Sequence, residues 1–126
     1  MKVNIGKFKK NGKERTVKVQ IDNYDTWSLD HTLALIILPA LKQYKEDTNG
    51  HPCGLAPDPT QTRVDGCGNC GCEQKWNEIL DKMIWSFEQV VDDDIVGYTP
   101  EEYKKYNERV QEGLELFGKH YRALWT

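Results

Sequence analysis

The sequence predicts an α+β fold in which an N-terminal β-hairpin packs on a three-helix bundle. Two segments near the N-terminus alternate apolar and polar residues, which is typical of half-buried strands. Three later segments repeat their apolar residues at helical spacing. A long segment rich in glycine and proline separates the first two of these helices. At 126 residues the chain is expected to form one domain, residues 1–126.

Residues 1–21 are predicted to form the β-hairpin. Val3–Phe8 and Thr16–Ile21 are its alternating strands, and Asn11-Gly12 lies between them. Both residues of that pair tolerate positive φ, so the pair favours a tight turn. A lone hairpin is only marginally stable in water, so we expect it to dock on the helices or to pair with another sheet edge.

The three helices are predicted at residues 28–47, 73–91 and 99–124. The second has the most regular apolar stripe, formed by Trp76, Ile79, Leu80, Met83, Ile84, Phe87 and Val91. The third begins at Thr99-Pro-Glu-Glu102, which predicts a capping box with proline in the first helical position. Two glycines inside this helix, Gly113 and Gly118, either weaken it or allow a neighbour to approach closely.

All four cysteines of the chain lie in the loop predicted at residues 48–72: Cys53, Cys67, Cys70 and Cys72. Thiolates that converge on one point suit a tetrahedral zinc ion, so we predict a structural Zn²⁺ held by these four ligands. His51 is an alternative ligand, and disulfides or free thiols remain open. Four cysteine ligands would leave no open coordination position, so the predicted zinc supports the fold and not a reaction.

Charge is unevenly distributed along the chain. Residues 1–21 carry seven Lys and Arg against Glu14 alone, a local charge of +6, whereas the remainder carries −9. The simpler interpretation is that the basic arm packs against the acidic body. The alternative is a basic patch offered to an anion. We do not expect a nucleic-acid partner, because nucleic-acid binders are usually basic across the domain.

The sequence predicts a protein that stays in the cytoplasm and does not enter a membrane. No apolar run approaches the roughly 20 residues that a membrane span requires. The N-terminus lacks the apolar segment of a signal peptide. A cytoplasmic location also favours thiolates over disulfides.

Two clusters are candidates for binding a small anionic ligand such as a nucleotide signal: Trp27, Asp30 and His31, and Lys119, His120 and Arg122. Cations would contact the phosphates, and an aromatic ring would stack on the base. The simpler interpretation is that these charges complement the dipoles of the helix ends.

No catalytic motif occurs, so no catalytic residue is predicted and an enzyme is not the preferred interpretation. The carboxylates Glu78, Asp81 and Glu88 share one face of the second helix. Together with Asp30 and His31 they permit a metal-dependent nucleotide hydrolase, which we rank last. A solvated helix face is the simpler interpretation of these carboxylates, since lysines are interspersed among them.

Three segments, Asp25–Leu33, Trp76–Glu88 and Gly113–Trp125, together resemble a group of small proteins of tailed bacteriophages with no established activity. The resemblance covers most of the chain after the hairpin, and related sequences often lack the cysteines. It implies expression in the cytoplasm of an infected bacterium. Our first hypothesis is therefore a non-enzymatic accessory protein that binds a host protein or forms a homo-oligomer.

Overall fold

We describe residues 1–48, 50–52, 71–92 and 96–125 of a computed structural model. Its strands are β1 (Lys2–Phe8) and β2 (Arg15–Gln20), and its helices are α1 (Leu29–Asp47), α2 (Cys72–Val91) and α3 (Pro100–His120). Short 3₁₀ helices cover Asn23–Thr26 and Tyr121–Ala123. The predicted α+β class, a hairpin followed by three helices, is confirmed.

The chain divides into two compact units, Met1–Leu33 and Ala34–Thr126, which we call the hairpin unit and the helical unit. The division falls inside α1, so the first turn of that helix belongs to the hairpin unit. The single-domain organisation stays a prediction.

β1 and β2 form a two-stranded antiparallel sheet, as predicted. The connection between them is longer than a two-residue turn, because the Lys9 amide donates to the Glu14 carbonyl at 2.8 Å. Gly12 adopts a φ of +71°, whereas no residue other than glycine has a positive φ in the described residues. Asn11 instead accepts hydrogen bonds at its side-chain oxygen from the amides of Lys13 and Glu14. Asn11 thus stabilises the turn through its side chain and not through its backbone.

The predicted capping box of α3 is present. The Glu102 amide donates to the Thr99 hydroxyl, and the Thr99 amide donates to the Glu102 carboxylate, both at 3.2 Å. Pro100 occupies the first turn, where its missing N–H costs nothing. α2 starts at Cys72, one residue before the predicted boundary, so this cysteine belongs to a helix and not to the loop.

One face of α2 forms the centre of the helical unit. Its buried apolar side chains recur every three or four residues: Trp76, Ile79, Leu80, Met83 and Phe87. α1 adds the buried residues Ala34 and Leu41, and α3 adds partly buried leucines and Phe117. The ring of Phe117 meets that of Phe87 edge-on at 5.0 Å between centroids.

α2 and α3 approach each other closely at Gly113. A Cβ atom on Gly113 would lie 1.9 Å from the Ser86 hydroxyl and 2.4 Å from the Lys82 carbonyl oxygen. The Ser86 hydroxyl donates to the Arg109 carbonyl at 3.4 Å, so the serine at this crossing is hydrogen-bonded. Of the two alternatives predicted for these glycines, close approach of a neighbour is found at Gly113, whereas Gly118 has open space at the position of a Cβ atom.

Candidate functional site

One face of the hairpin carries a set of exposed apolar side chains. Val3 lies opposite Val19, and Ile5 lies opposite Val17. Since side chains alternate between the two faces of a strand, these four share one face. Their exposed fractions lie between 43% and 60%.

A β-bulge adds Phe8 to this face. The register runs from Ile5 opposite Val17 to Phe8 opposite Arg15, so β1 contains one extra residue over this interval. Arg15 shares the face of Val17, and the bulge therefore brings Phe8 to the same side. The Arg15 guanidinium lies 4.8 Å from the centre of the Phe8 ring, and its Nε donates to the Gly6 carbonyl at 2.6 Å. We call Val3, Ile5, Phe8, Val17 and Val19 the apolar hairpin face.

The hairpin that carries this face is rich in basic residues. The hairpin carries Lys2, Lys7, Lys9, Lys10, Lys13, Arg15 and Lys18. In the part of the chain that the structure describes, only Lys9 among them forms a salt bridge, at 3.2 Å to Glu14. Both members of that pair are exposed, so the pair neutralises little of the positive charge of the hairpin.

A polar network lies where the hairpin meets the connector to α1. The Met1 ammonium is 2.9 Å from the Asp25 carboxylate and 3.3 Å from that of Asp22. The Asp22 amide also donates to Asp25, at 2.8 Å. The hydrogen bond from the ammonium, followed by that from the amide, lowers the pKa of the Asp25 carboxyl. The Asp25 carboxylate is therefore satisfied by groups of the hairpin unit itself.

The predicted residues Trp27, Asp30 and His31 all belong to the hairpin unit. Trp27 is 80% exposed at the end of the first 3₁₀ helix. Asp30 and His31 are exposed in the first turn of α1. The other predicted ligand residues lie in the helical unit, so the predicted set is divided between units that we describe separately.

The C-terminal cluster of Lys119, His120 and Arg122 does not act as one group. The His120 ring packs edge-on against Trp76, with 5.5 Å between ring centroids and 80° between planes. Burial lowers the pKa of His120, and the charge of Lys119 lowers it further. His120 therefore belongs to the core packing, whereas Lys119 and Arg122 line a surface cleft.

This cleft has a volume of about 350 Å³. Its lining consists of Gly50, His51, Pro52, Lys119, Arg122, Ala123 and Trp125. Nδ1 of His51 is buried and has no hydrogen-bond partner in the described structure. Trp125 is 72% exposed, and its backbone carbonyl accepts a hydrogen bond from the Tyr44 hydroxyl at 3.1 Å.

Of the four predicted zinc ligands, Cys72 is described, whereas Cys53, Cys67 and Cys70 lie outside the described residues. Cys72 is buried in the first turn of α2, one helical turn before Trp76 on the same side of the helix. A metal held there would attach the preceding loop to the core face of α2. Gly71 adopts a φ of +71°, which lets the chain enter the helix through a sharp turn.

The carboxylates of α2 form ion pairs with lysines. Asp81 pairs with Lys45, Glu88 with Lys42 at 3.2 Å, and Glu78 lies 3.9 Å from Lys75. Among residues 1–48, 50–52, 71–92 and 96–125, no three His, Cys, Asp or Glu side chains are placed to hold a metal. These contacts agree with the simpler interpretation of a solvated helix face.

Sequence reasoning missed Trp125 as a site residue and considered His51 only as a zinc ligand. Both are isolated in the sequence, and neither lies in a recognisable motif. The one available signal was an aromatic residue three positions after Arg122, in a stretch that already carried Lys119. Their meeting depends on the Gly50–Pro52 segment reaching the end of α3, which spacing alone does not indicate.

Comparison of the chain with family models, with curated proteins and with solved structures found no match. Within the described ranges, no helix combines the length and apolar character that crossing a membrane requires. The apolar hairpin face and the cleft are therefore the features from which function is inferred.

Proposed function

We propose that this chain is a non-enzymatic bacteriophage accessory protein that binds a host protein in the cytoplasm of the infected bacterium. One observation supports this most directly: all five side chains of the apolar hairpin face are between 43% and 61% exposed. Contiguous exposed apolar surface is typical of protein-interaction sites. Both strands also have an unpaired edge among the described residues, where a partner strand could add hydrogen bonds.

Charge indicates what kind of partner fits. The hairpin segment carries a local charge of +6, and six of its seven basic side chains have no carboxylate partner in the described structure. An apolar surface with an acidic rim would complement both features of the hairpin. A second copy of the same face would bring two positive fields together, which disfavours a homodimer through this face.

The proposal includes a structural zinc ion held by Cys53, Cys67, Cys70 and Cys72. A closed four-cysteine site would stabilise the loop and provide no open coordination position for a reaction. Metal analysis of the purified protein should give one zinc per chain, and Cys72→Ser should lose it. A full complement of zinc in Cys72→Ser, or a metal-free wild-type protein purified without chelator, would contradict this part of the proposal.

The test of host binding compares three versions of the tagged chain in a bacterial lysate. Val17→Thr/Val19→Thr removes apolar surface from the apolar hairpin face but keeps β-branched residues that suit a strand. Gln20→Thr is the matched control, because Gln20 lies opposite Lys2 on the other face. We expect the wild type and the control to retain a specific host protein from the lysate. The double variant should no longer retain it.

Retention should also weaken as salt increases, because exposed charges are screened. Light scattering on the purified chain tests the homo-oligomer, and a gel-shift assay tests nucleic acid. Equal retention by all three versions, or no retained protein, would overturn the proposal. The hydrolase hypothesis stays a prediction, and the ion pairs of the α2 carboxylates give it no support.

A further inference from the structure

The cleft at the end of α3 is separate from the apolar hairpin face and lies wholly within the helical unit. We propose that it binds a nucleotide, with the phosphate on Lys119, Arg122 and His51 and the base stacked on Trp125. This goes beyond host-protein binding, because it assigns a ligand class to a second site. The site shares only Lys119 and Arg122 with the set predicted from the sequence.

Lys119 and Arg122 differ from several other cations of the helical unit in having no acidic partner in the described residues. Two lysines elsewhere in the helical unit pair with acids on neighbouring helices: Lys42 with Glu88 at 3.2 Å and Lys82 with Glu112 at 2.8 Å. In the described residues Lys119 and Arg122 form no such pair, although both line the cleft. Two unneutralised cations that converge on one concave surface favour an anion there.

His51 has a buried ring nitrogen without a hydrogen-bond partner in the described structure. A buried polar atom without a hydrogen-bond partner is costly and calls for an explanation. Nδ1 of His51 is such an atom, and His51 is one of the residues that line the same cleft as the two cations. A neutral imidazole with its hydrogen on Nδ1 is a donor, so His51 would donate from this atom to a phosphate oxygen, which would satisfy it.

Trp125 gives the cleft an aromatic side chain. Trp125 is 72% exposed and lines the cleft, so the face of its indole is accessible for stacking. Two hydrogen bonds hold the backbone of Trp125 in place. The Tyr44 hydroxyl donates to the Trp125 carbonyl, and the Trp125 amide donates to the Ala123 carbonyl at 2.9 Å. A base stacked on an aromatic side chain gains roughly 1–3 kcal/mol in nucleic-acid complexes.

The volume of the cleft and the residues that line it together indicate the class of ligand. A volume of about 350 Å³ lies at the lower end of small-molecule sites. Cations alone at the end of a helix would only complement its dipole. The combination of cations, an unsatisfied histidine nitrogen and an indole on one concave surface suits a phosphate joined to a flat ring.

Calorimetric titration of the full chain tests the proposal with four probes: AMP, GMP, adenosine and inorganic phosphate. We expect both nucleotides to bind in the millimolar range or tighter, and each at least about tenfold more tightly than adenosine or phosphate, because each half of the ligand contributes. Arg122→Ala, Lys119→Ala and Trp125→Ala should each weaken AMP binding by about tenfold. Lys104→Ala is the matched control, since it removes an exposed lysine of α3 outside the cleft. It should change binding less than about twofold.

A second measurement follows the indole N–H of Trp125 by NMR, assigned with Trp125→Phe. It should shift on addition of AMP and stay in place on addition of phosphate. The proposal is overturned by no nucleotide binding at millimolar concentration, by equal losses in Arg122→Ala and Lys104→Ala, or by an unmoved indole during binding. Failure here leaves the apolar hairpin face untouched, because the hairpin variants report on different residues.

Discussion

The hairpin unit and the helical unit contain similar apolar residues, but the helical unit buries those of α2 and the hairpin unit leaves those of its apolar face exposed. In the helical unit the apolar face of α2 is buried, and Trp76, Leu80 and Met83 are at most 1% exposed. In the hairpin unit the apolar hairpin face keeps 43% or more of each side chain in contact with solvent. Regular apolar patterning therefore indicates which side chains share a face, but not whether that face is covered.

The two units also differ in how their charges are used. The lysines of α1 and α2 pair with carboxylates on a neighbouring helix or on their own helix. The hairpin holds seven basic side chains with one acidic partner in the described residues. Paired charges and buried apolar groups are typical of a surface that needs no partner, whereas unpaired charges on a hairpin with exposed valines favour a partner.

The largest expected effect tests the difference in burial directly. Leu80→Ala should lower the free energy of unfolding by about 2–5 kcal/mol, because it removes fully buried methyl groups and leaves a cavity. Val17→Thr should cost less than about 0.5 kcal/mol, because Val17 is exposed and threonine keeps the β-branch. Urea unfolding followed by tryptophan fluorescence measures both. Equal losses in the two variants would remove the contrast between the units.

The second effect concerns the crossing of α2 and α3. Gly113→Ala should destabilise the helical unit by about 1–3 kcal/mol or more, because the new Cβ would overlap the Ser86 side chain and the Lys82 backbone. Gly118→Ala is the control in the same helix, with nothing within 4 Å of its Cβ position. It should instead stabilise the protein by up to about 1 kcal/mol through helix propensity. A neutral Gly113→Ala would show that the helices separate readily.

A third prediction uses pH in the helical unit. The pKa of His120 is lowered by burial, so the folded protein keeps this ring neutral while the unfolded chain binds a proton below about pH 6.5. Its contribution to stability is therefore present above that pH and is lost as pH falls towards the folded pKa. Thermal unfolding between pH 7.5 and 5.5 should show this decrease, and His120→Gln should reduce it. An unchanged slope in the variant would contradict the prediction.

The stability of the hairpin unit should change in different pH ranges from that of the helical unit. The Asp25 pKa is lowered, so the contribution of Asp25 is present above the ordinary aspartate pKa of about 3.9 and is lost as pH falls through the folded value. The pKa of its partner, the Met1 ammonium, is raised mainly by the hydrogen bond to Asp25. That contribution is complete below about pH 8 and is lost as pH rises through the folded pKa.

Amide hydrogen exchange resolves this response residue by residue. Protection of β1 and β2 should decrease at both ends of the pH range in the wild type. Asp25→Asn should make protection in the hairpin lower and less dependent on pH, while α2 stays unchanged. A hairpin with the same pH profile in Asp25→Asn would show that this network contributes nothing.

The smallest effect concerns the ion pairs between helices. Asp81→Asn removes the partner of Lys45 on the surface of the helical unit. We expect a loss of about 0.2–1 kcal/mol, since exposed pairs gain little over hydrated charges. Salt should reduce the difference between variant and wild type. A loss of several kcal/mol would indicate that these pairs are as important as the apolar core.

Much of the fold could be predicted because its signals are local. The spacing of apolar residues in α2 and the capping box at Thr99 each depend on a few neighbouring residues. The turn at Asn11-Gly12 was predicted in position but not in kind, because Asn11 contributes its side-chain oxygen and not a positive φ. Whether the asparagine contributes a positive φ or a side-chain hydrogen bond depends on loop length, which the Asn-Gly pair itself does not determine.

The candidate site was predicted less well, since its parts meet only in three dimensions. Lys119 and Arg122 were identified, but His120 faces Trp76, and His51 joins the cleft from a segment distant in sequence. Phe8 reaches the apolar hairpin face through a bulge that strand alternation does not indicate. Alternation alone would place Phe8 on the opposite face from Val3.

The sequence by itself determined the order and type of the elements, because hydrophobic spacing, caps and turn residues act within a few residues of the chain. It also determined the charge difference between the hairpin and the rest. Only the tertiary structure decided which apolar faces are covered and which lysines form ion pairs with acidic residues. It also brought two cations together with His51 and Trp125 in the cleft. Burial and ion pairing depend on distances between segments remote in sequence, and those distances are set by packing.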